Sequence, residues 1–305
     1  MNQSIPFSYL AVQVAANDGN SHSVQLYTDV SGEWLVRSDT QPESDQLIEW
    51  ETTAGGTVSH QFSLQNQTQF LEVDGRVRYG TVVYSTKQVF SHLVQNSARV
   101  FTNASQVSGM TYEVGEDTVL RPGFITSGVL NNTVDSKFRA IRDNYPVFAF
   151  AHDLGDVGAT QTTPVVYTIG YVRDPLVQLL NIPNINSLRG AYYLTRYSSN
   201  SDMVRLSYAS CVSGTYTLPK VTALLNDYPN TLARAMNFDN NLTSAAFGVT
   251  PQDSSYADIL ALSVRQMFGN IEITAGLDNT TYVPTDIMAF MRGMWITFVG
   301  LSTIN

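Results

Sequence analysis

Apolar and polar residues alternate along most of the first two thirds of the chain. From residue 7 to about residue 203, short runs with a period of two are separated at short intervals by turn residues. Such alternation places successive side chains on opposite faces of a β-strand. A succession of short strands of this kind predicts an antiparallel β-sandwich.

Three turn sequences predict β-hairpins between neighbouring strands. They are Asn17–Asn20, Gly55–Gly56 and Asp74–Gly75, and each is flanked by alternating runs. Asn, Asp and Gly tolerate the positive φ that tight hairpin turns require. At the first turn, we expect residues 7–16 to pair with the strand around Val24.

Other segments complete the strand pattern of this part of the chain. Further strands are predicted at Tyr145–Ala151, Val165–Val172 and Gly190–Arg196, and Gln88–Asn96 fits one short helix. No repeat of 20 to 50 residues is visible. The sequence therefore predicts one β-rich domain over residues 1–220.

The period changes to a helical one after about residue 221. Apolar side chains then recur at helical spacing in two stripes, the first with Leu232, Ala235 and Met236 and the second with Ile259, Leu262 and Met267. The fold class predicted is mainly β with a C-terminal α part, in which residues 221–305 begin a helical domain.

Charge and hydropathy exclude two classes of partner. The chain has 17 Lys and Arg against 26 Asp and Glu, a net charge of −9, and no basic cluster, so we expect no nucleic-acid partner. Residues 1–6 show neither the charged nor the apolar region of a signal peptide. Ile287–Leu301 is apolar but is interrupted by Arg292 and is too short for a membrane span of about 20 residues, so we expect no membrane partner.

Several kinds of chemistry lack their sequence signatures. A serine hydrolase elbow, a phosphate-binding loop and a dinucleotide-binding glycine motif are absent. Cys211 is the sole cysteine, which rules out an intramolecular disulfide, and nothing around it matches a nucleophile signature. The four histidines are far apart in sequence, so no pattern suggests a metal site.

Candidate site residues remain where polar side chains interrupt or end apolar strands. Asp153 follows the apolar run Val147–Ala151, and Arg173 and Asp174 follow the predicted strand Val165–Val172. Such groups can orient a substrate carboxylate or amide, or act in acid–base chemistry, or they can form caps, turns and an ion pair at strand ends. Arg265, beside the second helical stripe, either binds a carboxylate or is a solvated or interface arginine.

The order of seven short motifs resembles the fungal glutaminase A family over nearly the whole chain. The motifs are Pro6–Leu10, Tyr79–Val82, Phe138–Ile141, Val147–Gly155, Gly170–Pro175, Leu225–Tyr228 and Ala261–Gly269. Each motif alone carries little information, whereas seven in the same order are specific. No family nucleophile or base maps onto them, so the catalytic residues stay unassigned.

The resemblance implies a secreted hydrolase that converts L-glutamine to L-glutamate and ammonia, with no required cofactor. It also implies an N-terminal β-sandwich followed by the first helices of an (α/α) toroid of the six-hairpin glycosidase type. Because that architecture also occurs in glycosidases, a glycoside hydrolase-like or carbohydrate-binding protein is the alternative.

The resemblance also carries expectations about segments of the chain. Family members have more sequence before the first motif, and residues 293–305 do not resemble the family continuation, so we expect a fragment from a gene model that is incomplete at both ends. We further expect Val204–Lys220 to be an intron-derived, exposed insertion. Sequons at Asn66, Asn103, Asn131 and Asn241 are candidate glycosylation sites.

Overall fold

A computed structural model of the chain describes residues 4–37, 39–87, 109–180, 188–197, 218–251 and 254–291. The expected helix Gln88–Asn96 and the segment Gly293–Asn305 lie outside these residues, as does the expected insertion Val204–Lys220 except for its last three residues, which belong to a helix. None of the helices in the described ranges combines the length and apolar character that crossing a bilayer requires.

Strands account for most of the regular structure. In chain order they are β1 (Phe7–Val12), β2 (His22–Ser31), β3 (Leu47–Thr53), β4 (Thr57–Leu64), β5 (Glu72–Val73), β6 (Arg76–Val77), β7 (Thr81–Lys87), β8 (Met110–Glu116), β9 (Thr133–Val134), β10 (Arg139–Ala140), β11 (Pro146–Val157), β12 (Val165–Val172), β13 (Val177–Gln178), β14 (Leu188–Ala191), β15 (Ile271–Asp278) and β16 (Thr281–Met291). The helices are α1 (Asp117–Ser127), α2 (Leu194–Tyr197), α3 (Leu218–Val249) and α4 (Ser254–Asn270). This arrangement confirms the prediction of a mainly β fold with helices towards its C-terminal end.

The described residues form two compact units. Residues 7–172 and 218–225 make up the first, named here the sandwich unit. Residues 4–6, 173–197 and 226–291 make up the second, named the mixed unit. The predicted domain boundary at 220/221 differs from this division, because strands β13 and β14 join the mixed unit.

Two sheets face each other in the sandwich unit. One has six strands in the order β1-β12-β7-β4-β3-β10, and the other has four in the order β2-β11-β8-β9. Their inner faces interdigitate in an aromatic core, where the ring of Phe62 from β4 stacks on that of Phe148 from β11 at 4.0 Å. Burying such rings is the main source of stability for a sandwich.

Strand β4 is buried on both faces along its whole length. Its inward residues include Val58 and Phe62, both almost inaccessible. On the outward face, Ser59 accepts a 2.7 Å hydrogen bond from Ser85 of β7, so these two buried hydroxyls satisfy each other. The start of α3 also packs here, where its carbonyl at Leu224 accepts a hydrogen bond from the Tyr9 hydroxyl at 2.9 Å.

Two of the three predicted hairpins are present. Strands β3 and β4 pair around Gly55–Gly56, and β5 and β6 pair around Asp74–Gly75, where both residues have positive φ. The hairpin at Asn17–Asn20 was predicted wrongly. Strand β1 pairs with β12 and β2 pairs with β11, so this turn carries the chain from one sheet to the other.

The mixed unit contains a four-stranded antiparallel sheet in the order β13-β14-β15-β16 and most of the two long helices. The strand predicted over Gly190–Arg196 ends at Ala191, after which the short helix α2 begins. Helices α3 and α4 touch through the rings of Phe238 and Phe268, 5.7 Å apart. Their predicted apolar stripes are largely exposed, with Met236 at 57% and Ile259 at 63%.

Candidate functional site

The sheet of the mixed unit carries a polar network that includes two of the candidate residues from the sequence. We call it the arginine–carboxylate network, and its members are Arg173, Asp174, Arg189, Glu272, Thr274, Tyr282 and Asp286. Its ionisable groups are largely buried, which is where paired charges have their strongest effects.

Arg189 of β14 is the centre of this network and is fully buried. Its Nη1 donates to both carboxylate oxygens of Asp286, at 3.0 and 3.1 Å, and its Nη2 donates to the Asp286 carbonyl at 2.7 Å. Its Nε donates to the Thr274 hydroxyl at 3.0 Å. Three nitrogen atoms of the planar guanidinium are therefore held by groups on two other strands, β15 and β16, which fixes its orientation.

A wide bulge in β16 makes the contact with Asp286 possible. Ile287 pairs with Ala275 of β15, yet the next pair along the ladder joins Tyr282 to Leu277. The residues between Tyr282 and Ile287 therefore have no partners in regular register. Bulges re-aim side chains and free backbone groups, and here the Asp286 carboxylate and carbonyl both turn towards Arg189.

Arg173 forms an ion pair with Glu272 at the start of β15. The Arg173 side chain is 8% exposed and that of Glu272 is 20% exposed. Glu272 and Thr274 share one face of the sheet because they are two residues apart on one strand. Since Thr274 contacts Arg189, the two arginine pairs lie on the same face.

Asp174 contacts the opposite face of the same sheet. It accepts a hydrogen bond from the Tyr282 hydroxyl, and the Tyr282 ring lies against the backbone of Gly190. A Cβ added at Gly190 would lie 2.3 Å from Cζ of Tyr282, so only glycine fits there. Burial, and then the charge of Asp174, raise the pKa of Tyr193.

The side chains of the adjacent residues Arg173 and Asp174 therefore reach opposite faces of the sheet. The Arg173 pair lies on the face of Arg189, whereas Asp174 bonds to Tyr282 on the face of Gly190, the next residue of the same strand. Arg173 and Asp174 lie in one network but do not present their charged groups to one point. Each is already bonded to a protein side chain. The arrangement anchors the segment after β12 to the sheet, with Glu272 and Asp286 as its more exposed members.

The other two predicted site residues lie elsewhere. Asp153 belongs to the sandwich unit, is exposed, and accepts a 2.9 Å hydrogen bond from the backbone N–H of Gly155 at a bulge in β11. Arg265 is exposed on α4. Neither joins the arginine–carboxylate network in the described contacts, so a site shared by all four residues stays a prediction.

The sandwich unit holds two buried histidines that sequence reasoning did not single out. His60 receives a 2.7 Å hydrogen bond from Thr52 at Nδ1 and lies 3.2 Å from the Ala149 carbonyl at Nε2, which fixes the proton on Nε2. His152 lies 3.0 Å from the Tyr167 hydroxyl. Burial lowers the pKa of each to about 4, so both are neutral core residues near neutral pH.

Metal chemistry gains no support from the described ranges. No group of three or more His, Cys, Asp or Glu residues there is arranged to hold a metal ion. Cys211 and Asn103 lie outside the described residues.

The fold and the network define a mainly β protein whose sandwich is followed by a sheet and two long helices. The chain belongs to the family described as "Domain of unknown function (DUF5127)", which matches residues 1–245. It is similar to Glutaminase A of Aspergillus oryzae, with 26% identity over 292 residues, covering 95% of this chain and 35% of that protein. It is also similar to a probable glutaminase of Arthroderma benhamiae, with 25% identity, covering 92% of this chain and 28% of that protein.

These relatives place the chain in a fungal glutaminase-like family, in agreement with the motif order. The chain spans about a third of the length of the curated relatives it matches. At this level, the similarity supports a glutaminase-like function and a small-molecule substrate for the family.

Proposed function

We propose that this chain is part of an extracellular glutaminase that hydrolyses L-glutamine to L-glutamate and ammonia. The observation that carries the proposal is the similarity to two proteins named as glutaminases along more than nine tenths of the chain. A substrate of this kind offers an ammonium group and a carboxamide, both of which donate N–H bonds.

The arginine–carboxylate network gives secondary support to this proposal. The carboxylates of Glu272 and Asp286 are each anchored by a buried arginine and remain partly exposed, at 20% and 28%. Anchored carboxylates are suited to receive the N–H groups of an amino acid in a fixed geometry. Asp153 and Arg265 remain candidate residues, as do Arg173 and Asp174 as positioning groups.

We further propose that the chain alone does not turn over glutamine, because it spans about a third of the relatives' length. We also propose that residues 1–220 form the sandwich domain and that residues 221–305 are linker helices that begin a central (α/α) toroid. Residues 204–220 would then be an insertion that contributes nothing to the reaction.

An ammonia-release assay tests both parts of the proposal. The purified chain and a protein of the relatives' full length that contains it are incubated with L-glutamine, L-asparagine and a panel of aryl glycosides, and ammonia, glutamate and free sugar are measured. We expect glutamate and ammonia from the longer protein only. Turnover of glutamine by the isolated chain would refute its inactivity, and sugar release without glutamine turnover would replace the glutaminase by the glycosidase alternative.

Matched variants of the longer protein test the network. Glu272→Gln and Asp286→Asn keep side-chain size and remove charge, while Asp278→Gln removes the charge of an exposed acid at the hairpin tip of the same sheet without creating a sequon. We expect KM for glutamine to rise in the first two and not in the third. Unchanged KM in all three would remove the network from substrate binding.

A further inference from the structure

The sequons of the chain differ sharply in how the structure presents them. Four lie in described residues, at Asn66, Asn131, Asn241 and Asn279, whereas Asn2 and Asn103 do not. A sequon accepts a glycan through the Nδ2 atom of its asparagine, with the hydroxyl of the residue two positions on beside it. Both groups must therefore be accessible together.

The side chains of the sequon at Asn131 form hydrogen bonds within the protein. Its Nδ2 lies 3.2 Å from each carboxylate oxygen of Glu113, and the Thr133 hydroxyl donates to the same carboxylate at 3.1 Å. The backbone N–H of Asn131 adds a third donor at 3.0 Å. Glu113 thus binds both polar side chains of the sequon, so a sugar on Nδ2 would have to displace it from Asn131 while the Thr133 hydroxyl is held as well.

The sequon at Asn241 has a different obstacle. It lies inside α3, about two turns before the helix ends at Val249. Side chains at i and i+2 do not face each other on an α-helix, so Asn241 and Thr243 point to different sides. The nitrogen and the hydroxyl cannot be presented together while the helix is formed.

The two remaining sequons lie at exposed turns. Asn66 is exposed in the bend after β4, and no hydrogen bond from its carboxamide is recorded among the described residues. Asn279 occupies the two-residue loop between β15 and β16 at φ 51°, with its Nδ2 bonded only to the exposed carboxylate of the neighbouring Asp278 at 3.2 Å. The hydroxyl-bearing residues Thr68 and Thr281 are exposed as well.

We infer that Asn66 and Asn279 are the N-glycan acceptors among these four sequons. The donor is a polyprenyl diphosphate oligosaccharide. In the transfer, Nδ2 bonds to C1 of the first sugar, the bond from C1 to the diphosphate oxygen breaks, one Nδ2 proton is lost, and the lipid diphosphate leaves. Both acceptors lie at loop tips, where a bulky solvated group displaces no packed side chain.

Site mapping of the secreted chain tests the inference. The chain is expressed in yeast behind a secretion leader, and the glycans are removed by an amidase in ¹⁸O water, which converts each occupied asparagine to labelled aspartate. We expect label at Asn66 and Asn279 and little at Asn131 and Asn241. Label at Asn131 or Asn241 equal to that at the two turns would overturn the inference, and absence of label from Asn66 or Asn279 would overturn the assignment of that residue.

Glutamine variants give a second readout on intact mass. Asn66→Gln and Asn279→Gln should each remove one glycan, and the double variant should remove both. Asn131→Gln and Asn241→Gln are the matched controls and should leave the mass distribution of the glycoprotein unchanged apart from the substitution. A control that loses a glycan would contradict the structural argument at that site. If a variant fails to fold, the site mapping on the chain without substitutions still tests the inference.

Discussion

Replacing Asp286 with alanine should destabilise the mixed unit more than replacing its partner Arg189. The guanidinium of Arg189 is fully buried, whereas the Asp286 side chain is 28% exposed. Removing one partner of a buried pair leaves an uncompensated charge and costs about 3 to 5 kcal/mol. Because the exposed edge lets water reach the gap, we place Asp286→Ala near the lower end of that range, at about 3 kcal/mol.

The reverse change is milder for the same reason. Arg189→Met keeps much of the buried aliphatic volume and leaves a carboxylate that water can reach, so we expect a loss of about 1 to 2 kcal/mol. The double variant has no buried charge left and should lie close to Arg189→Met alone. The two changes are therefore strongly non-additive, with a coupling close to the whole Asp286→Ala loss of about 3 kcal/mol.

Urea unfolding followed by near-ultraviolet circular dichroism measures these differences without screening the charges. Arg234→Met is the matched control, since Arg234 pairs with Asp227 on α3 with side chains 52% and 41% exposed. Exposed pairs contribute about 1 kcal/mol or less. Additive losses in the double variant, or a loss below about 1 kcal/mol for Asp286→Ala, would show that Arg189 is not held as a buried charge.

Two further predictions concern glycines and buried histidines within the units. Gly190→Ala should lower the free energy of unfolding by about 1 to 3 kcal/mol because the new Cβ meets the Tyr282 ring. Gly123→Ala, on the exposed side of α1, should raise it by up to about 1 kcal/mol, since an added Cβ there has no atom outside the helix backbone within 4 Å. Equal effects of the two variants in thermal melts would refute the steric argument. The buried histidines should make the free energy of unfolding rise with pH between about 4 and 6.5, by roughly 3 kcal/mol for each histidine at most. The reason is that in this range the unfolded chain binds protons at His60 and His152 that the folded chain does not bind. His60→Gln should flatten the dependence of the unfolding free energy on pH, and an unchanged slope would contradict this account.

The β-sandwich could be predicted because its signal is local. Period-two alternation and turn residues mark β3 and β4 on either side of Gly55–Gly56, and they mark β12, which the structure has at the predicted residues Val165–Val172. The pairing itself is not local. Asn17–Asn20 supplies the backbone conformations of a tight turn, but a turn reverses the chain in the same way whether the next strand joins the same sheet or the facing one.

The candidate site was predicted in part for the same reason. Arg173 and Asp174 stand out because they end an apolar strand, whereas Arg189 precedes the predicted strand Gly190–Arg196 and follows no apolar run, so it was not predicted. Nothing local distinguishes Glu272, which is the second residue of β15. Its role depends on a pairing with Arg173 across 99 residues of chain.

Asp286 shows most clearly what a local pattern leaves out. In a regular ladder each residue of β16 would oppose one residue of β15, and a backbone carbonyl would bond to the neighbouring strand. The bulge removes the segment between Tyr282 and Ile287 from that ladder, and the Arg189 guanidinium takes the place of the missing partner at the Asp286 carbonyl. The buried arginine and the irregular strand therefore bond to each other, and the arginine would be destabilising without this partner. Since the bulge is defined by the register of two strands and the arginine comes from a third, only the assembled sheet specifies this pair.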